Sequence, residues 1–220
     1  RPTEPCLENA LRFAEKNSVK TAYEYLEESD EKIAKIGAKL VRGDVYTHCH
    51  SSTVNKVLAE AKKTKRFRVY CTETRPRFQG RITAKELAGL NIPVTLFVDS
   101  AMRLAIKKAK LAMIGADSIT VDGEVINKIG SELAADTCNH FKVPLYIITN
   151  SWKFDLCSLY MKEVPIEKRP TSEIWENKPK GVNVMNPAFE KIHSGSIKAI
   201  VSELGVLSPK EFVKKTIGNF

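Results

Sequence analysis

The chain has 220 residues, 43% of them hydrophobic, with 35 basic against 26 acidic side chains for a formal net charge of +9. This length and apolar content support a sizeable core and exclude an intrinsically disordered chain. No apolar run approaches the ~20 residues of a membrane span, and Arg1-Pro2-Thr3-Glu4-Pro5 lacks the apolar stretch of a signal peptide, so the expected setting is cytoplasmic with no membrane partner.

Leu7, Ala10, Leu11 and Ala14 mark a first helical face, and Leu26, Ile33, Ile36 and Leu40 a second. From Val45 the pattern changes to short β-rich runs separated by helical ones: 45–47, 67–71, 94–98, 111–114, 145–149 and 199–202. This alternation predicts an α/β fold, a Rossmann-like parallel sheet flanked by helices and preceded by a short helical N-terminal segment. Val54, Val57, Leu58 and Ala61 predict a helix after the first strand, with Ser51 or Ser52 as its N-cap. Thr83 to Glu86 and Ser208-Pro209-Lys210-Glu211 read as capping boxes. Asp122-Gly123 reads as the turn of a small hairpin ahead of a helix beginning near Ile129. Pro165, Pro170, Pro179 and Pro187 punctuate residues 155–196, so a loop-rich excursion is expected before the return to the sheet at Ala199.

Ligands of open parallel sheets bind beyond the carboxyl ends of the strands. There the sequence places Cys49, His50, Ser51 and Ser52, then Thr72 to Arg77, Asp99, and Asp117, with Asn127 and Lys128 expected to open the following helix. Cys49 has two readings: a small buried hydrophobe, or a thiol that the positive end of the next helix favours as thiolate. Asp117 follows the apolar run 111–116, where desolvation favours a protonated carboxyl able to donate; its other reading is a turn cap. Asp99 reads as an N-cap. Arg75, Arg77 and Arg81 offer planar groups suited to phosphate, and Asn127-Lys128 with Gly130 at a helix start offers backbone N–H groups and an ammonium for the same purpose. His48 and His50 have no third or fourth ligand at matching spacing, so no metal is expected. Without Gly-x-Gly-x-x-Gly, no dinucleotide cofactor is expected either.

The five cysteines, at positions 6, 49, 71, 138 and 157, contain no Cys-x-x-Cys pair, which argues against a disulfide framework. The positive charge suits nucleic acid, a phosphorylated metabolite or an acidic protein surface. The sequence argues against nucleic acid, because no aromatic RNA-binding pattern or zinc-finger spacing occurs and Lys62-Lys63-Thr64-Lys65-Arg66 reads as a solvated helix end.

Thr47-His48-Cys49-His50-Ser51, Thr72-Glu73-Thr74-Arg75-Pro76-Arg77-Phe78-Gln79-Gly80, Ile92-Pro93-Val94-Thr95, Gly115-Ala116-Asp117-Ser118-Ile119, Asn127-Lys128-Ile129-Gly130 and Asn186-Pro187-Ala188-Phe189 together resemble the translation initiation factor 2B-like superfamily. The resemblance runs from Arg1 to about Phe212 and is nearest to its archaeal-type ribose-1,5-bisphosphate isomerases, with methylthioribose-1-phosphate isomerases more distant. It implies an aldose-ketose isomerase working without cofactor through a catalytic cysteine and aspartate, which fall on Cys49 and Asp117. It implies that Arg1, Ser51, Arg75, Asn127 and Lys128 bind the phosphorylated sugar, that the enzyme is a homo-oligomer, and that its product feeds a carboxylase in a route degrading nucleoside monophosphates. The alternatives it carries are a noncatalytic regulatory subunit with a translation initiation factor as partner, and a methylthioribose-1-phosphate isomerase. Family members extend further at the N-terminus, so residues 1–42 are expected to be the remnant of a larger helical domain and residues 43–220 the catalytic domain. The family's Asn-Pro-Ala-Phe-Asp string ends here in Glu190.

Overall fold

The computed structural model describes residues 4–160 and 166–218. Two helices come first, α1 (Cys6–Lys16) and α2 (Val19–Leu40). The alternating part then runs β1 (Val45–Thr47), α3 (Ser52–Lys62), β2 (Val69–Thr72), α4 (Gln79–Gly89), β3 (Val94–Phe97), α5 (Met102–Ile106) and β4 (Leu111–Ile114). It continues through β5 (Ser118–Ile119), β6 (Val125–Lys128), α6 (Ser131–Phe141), β7 (Leu145–Ile148), β8 (Phe189–Ile192), β9 (Ala199–Ser202), β10 (Gly205–Leu207) and α7 (Pro209–Ile217).

All six expected strands form, and they pair side by side in the order β9-β7-β4-β1-β2-β3 with every pairing parallel. Only β10, added antiparallel outside β9, departs from a doubly wound sheet. Side chains alternate across the strands with period two, which divides the interior into two cores. Tyr46, Tyr70, Ala112, Ile114, Leu145 and Ile200 face the layer of α5, α6 and α7, where Met102, Ala134 and Phe212 meet them. Val45, Val69, Leu111, Met113 and Val201 face the layer containing Ile33 of α2, Val57 and Leu58 of α3, and Leu87 of α4.

Local signals behave unevenly. Ser208 and Glu211 form the expected capping box with Pro209 in the first turn of α7. Ser51 caps α3 by accepting from the Val54 N–H. Thr83, by contrast, lies inside α4, which already starts at Gln79, and its hydroxyl donates 2.8 Å to the Cys49 carbonyl. The Asp122-Gly123 turn is present, but the small hairpin is joined by an unforeseen strand: β8 pairs antiparallel with β6 from within the proline-punctuated excursion. The expected apolar face of α1 is also corrected. Leu7 and Leu11 are exposed, and the helix instead buries Asn9, whose amide donates to the carbonyls of Trp152 and Phe154 at 2.9 and 2.8 Å. Two hydrogen bonds offset the desolvation of that amide, so a polar residue takes the seat.

Candidate active site

The carboxyl ends of the parallel strands open into a cavity of about 650 Å³ lined by Cys49, His50, Ser51, Gly115, Asp117, Asn127, Lys128 and the end of β7. Cys49 follows β1 with a left-handed backbone, φ 64°, which ends the strand and turns the chain toward α3. Its N–H donates to the Thr74 hydroxyl at 3.1 Å, and its carbonyl takes the Thr83 hydroxyl. Thr74 is itself left-handed, φ 59°, a conformation a β-branched residue adopts only under external restraint. Asp99 supplies it: the carboxylate accepts from the N–H groups of Thr74 and Arg75 at 2.8 and 2.7 Å. Asp99 therefore ties the loop after β2 to the end of β3 rather than capping its own helix.

Beside Cys49, His48 is buried and double-anchored. Its Nε2 lies 2.8 Å from the Ile129 carbonyl, which can only accept, so Nε2 carries the proton and Nδ1 accepts from the Thr72 hydroxyl at 2.9 Å. Burial pushes its pKa down and keeps the ring neutral. The bond to Ile129 locks the end of β1 to the turn after β6, where Asn127 and Lys128 sit. Close packing enforces the same joint: a Cβ at Gly130, φ +99°, would lie 2.7 Å from His48 Nε2.

Asn127 and Lys128 are the last residues of β6, not the first of a helix. The N-terminus of α6 is also taken. The Glu190 carboxylate accepts the Glu132 N–H at 2.7 Å and bonds the Gly130 and Ser131 amides, so the proposed anion seat there is filled from within the chain. Burial raises the Glu190 pKa despite those bonds. Lys128 instead sends its side chain into the cavity past Phe189, its Nζ 6.0 Å from the ring centroid. Burial lowers its pKa; the charges of Cys49 and Asp117 oppose that shift while Arg169 adds to it. Lys128 is thus electrostatically coupled to both reactive candidates. Asp117 lies part-buried on the cavity wall, its N–H bonded to the Ile126 carbonyl. The wall opposite Ser51 is Gly115, where a Cβ would lie 2.9 Å from the Ser51 Oγ.

Of the expected binding residues, Ser51, Asn127 and Lys128 line the cavity and Arg75 does not. Arg75 is exposed, stacked 5.1 Å from the Phe78 ring centroid, and Arg77 lines the cavity in its place. Arg1 lies outside the described residues. Sequence reasoning missed Arg169 and Lys153, both in the irregular stretch after β7 and both lining the cavity. Arg169 is held by Glu173 at 2.6 Å and Glu167 at 3.1 Å, and Asn186 secures Glu173. The only signal for this clamp was the density of charge in Glu167-Lys168-Arg169. His50 also faces the cavity, with Nε2 3.1 Å from both Glu86 carboxylate oxygens, and Asn55 donates to Glu86 at 2.7 Å. Among the described residues, no three His, Cys, Asp or Glu side chains are placed to hold a metal ion.

Chemically, the cavity joins a thiol, a carboxyl group and several cations. Ser52 and Thr53, in the first turn of α3, also line it, and first-turn N–H groups have no partner within the helix and suit an anion.

A family model described as the initiation factor 2 subunit family matches residues 8–209. The ribose 1,5-bisphosphate isomerase of Thermococcus kodakarensis is 42% identical, over 90% of this chain and 64% of its own length. That of Methanocaldococcus jannaschii is 36% identical, over 96% of this chain and 74% of its own length. A crystal structure of the Pyrococcus horikoshii OT3 translation initiation factor eIF-2B superimposes with a TM-score of 0.85 at 29% identity, covering 96% of this chain and 78% of that one.

Proposed function

Because the chain belongs to the initiation factor 2 subunit family, we propose that its cavity isomerises ribose 1,5-bisphosphate to ribulose 1,5-bisphosphate. The observation that carries this reading is the convergence of Cys49 and Asp117, from the ends of two neighbouring strands, on one cavity with Lys128 coupled to both. Similarity to isomerases over nine-tenths of the chain supports it. The chain spans about two thirds to three quarters of the length of those relatives, so the activity of these 220 residues is part of the proposal.

In this mechanism Asp117 gives its proton to the ring oxygen as the bond from that oxygen to C1 breaks. The Cys49 thiolate takes the proton from C2, and the electron pair left behind forms the C1=C2 double bond of an enol that keeps its phosphate on C1. The Cys49 thiol then returns the proton to C1 while the C2 hydroxyl gives its proton to the Asp117 carboxylate, leaving a ketone at C2. The two side chains end as they began, and the net change is one hydrogen moved from C2 to C1 and one from the C2 hydroxyl to the former ring oxygen, with the ring opened. Lys128, Arg77 and Arg169 hold phosphate oxygens, and the first turn of α3 offers N–H donors to one phosphate. Arg1 remains in the proposal as a further phosphate ligand.

The reading also carries a cytoplasmic homo-oligomer, and a division into a helical segment, 1–42, and a catalytic domain, 43–220. Turnover of ribose 1,5-bisphosphate, followed as ribulose 1,5-bisphosphate formed, tests it. Removing an acid or base from such a reaction costs typically 10²–10⁴-fold, so Cys49→Ser and Asp117→Asn are each expected to lose at least ~100-fold. Retention of full turnover by both variants sinks the assignment of roles. Tight binding of an initiation factor by an intact chain without turnover favours the noncatalytic reading instead, and preference for methylthioribose 1-phosphate favours the single-phosphate isomerase.

A further inference from the structure

The reaction uses one end of the sheet, and the opposite end carries a feature it leaves unexplained. In the described structure, β9, β7, β4, β1 and β2 lie side by side and parallel, and each is preceded within three residues by a cation: Lys198, Lys142, Lys110, Arg42 and Arg68 in that order. Arg66 stands just behind Arg68. The registers place these residues on one rim, with the Lys110 N–H on the Asp44 carbonyl, the Lys198 N–H on the Leu145 carbonyl and the Val45 N–H on the Arg68 carbonyl. All six side chains are exposed, and none makes an ion pair among the described residues. Of the carboxylates beside them, Asp44 stays on the rim as one anion among six cations, accepting from the Tyr70 hydroxyl and the Arg68 N–H, and Glu60 pairs with Lys63.

Adjacent strands stand ~4.8 Å apart, so five of them spread the cations along a band of about 19 Å. A nucleic-acid strand in a duplex presents one phosphate per ~3.4 Å of helix axis, so a band of this length meets about five or six phosphates. Of the aromatic residues beside these cations, Phe67 is buried and Phe141 carries the Arg103 guanidinium 4.7 Å from its ring centroid, so among the described residues neither stands free as a stacking platform for unpaired bases or a wedge for a bilayer. Single strands are gripped through exposed aromatic residues and bilayers through apolar anchors, whereas duplex backbones need only cations.

We propose that the amino-terminal rim of the sheet is a sequence-independent docking surface for the phosphate backbone of a nucleic-acid duplex, independent of the cavity at the other end. The residues come from five separate segments, and only Arg66 belongs to a run of charge visible in the sequence, which explains why motif reading argued against nucleic acid.

Fluorescence anisotropy of the full 220-residue chain with labelled RNA and DNA duplexes of arbitrary sequence tests this. With about four phosphates neutralised, affinity is expected to fall roughly 100-fold between 50 and 200 mM salt. The triple variant Arg68→Gln, Lys110→Gln, Lys142→Gln is expected to bind at least tenfold more weakly at 50 mM salt, at about 1.4 kcal/mol per decade, while keeping its far-UV circular dichroism and isomerase turnover. Lys20→Gln, at the start of α2 and remote from the rim, is expected to bind as the parent does. The RNA and DNA arms show which duplex is preferred. The proposal is overturned by no binding at 50 mM salt, by unchanged binding in the triple variant, by displacement with saturating ribose 1,5-bisphosphate, or by tighter binding of phosphatidylserine vesicles or polyglutamate than of either duplex.

Discussion

His48→Ala tests the joint that holds the two halves of the cavity together. The ring is buried, takes the Thr72 hydroxyl on one nitrogen and gives the other to the Ile129 carbonyl. Truncation strands both partners in a buried place, at ~1–3 kcal/mol for each unsatisfied group. The expected loss is therefore about 3–4 kcal/mol, a large fraction of the ~5–15 kcal/mol that holds an ordinary domain. Urea unfolding followed by fluorescence reads it, since the buried Trp152 is a sensitive reporter. A midpoint that moves by less than about 1 kcal/mol of stability, with the m-value unchanged, refutes the role of the joint. The pH dependence gives a second reading of the same residue. Burial lowers the folded-state pKa of His48 below its unfolded value of about 6.5. Above that pH the ring is neutral in both states and its contribution is intact. As pH falls through 6.5 the unfolded chain takes up a proton that the folded ring resists, so stability drops by up to ~1.4 kcal/mol per pH unit until the folded-state pKa is reached. His48→Ala is expected to remove that component of the acid slope, and an identical slope in the variant contradicts the assignment.

Three further outcomes follow from the geometry. Lys128→Met keeps the buried stem but deletes the ammonium facing Cys49 and Asp117, so KM for the bisphosphate is expected to rise at least tenfold in steady-state assays, about 1.4 kcal/mol of lost binding. Arg77→Ala is expected to raise KM several-fold while Arg75→Ala leaves it within about twofold, under ~0.5 kcal/mol of binding, since both are exposed but only Arg77 lines the cavity; the reverse ranking contradicts that lining. Gly80→Ala places a Cβ 1.7 Å from the Thr72 carbonyl oxygen, so α4 must shift away from β2. Thermal melts are expected to show loss of several degrees or failure to fold, and a melting temperature equal to the parent's rejects that contact.

The sheet was legible because its strands are short and β-rich and, apart from the edge strands β3 and β10, largely buried on both faces, so both the runs and their order of alternation survive in one dimension. The turn bearing Cys49 was legible for a related reason: Ser51 caps α3 through a bond three residues long. What escaped depends on distant partners. Asn127 and Lys128 looked like a helix start because Gly130 follows them, yet they are held extended by β8, some sixty residues later in the chain. The anion seat they were expected to form is filled by Glu190 from that same strand. Asn9 is buried only because carbonyls beyond β7 receive its amide. Arg75 and Arg77 are two residues apart in a turn, where no periodicity says which one faces inward.

The paired left-handed residues Cys49 and Thr74 carry a consequence for how this fold could adapt to heat. Glycine or asparagine at position 74 would relax the backbone, and selection for thermal endurance alone would favour such a change. It would also delete the hydroxyl that receives the Cys49 N–H, loosening the thiol against its aspartate. Endurance and turnover therefore pull position 74 in opposite directions. A lineage that kept the scaffold as a binding module would be free to take the relaxed residue, whereas one that still performs proton transfer would have to retain the strain.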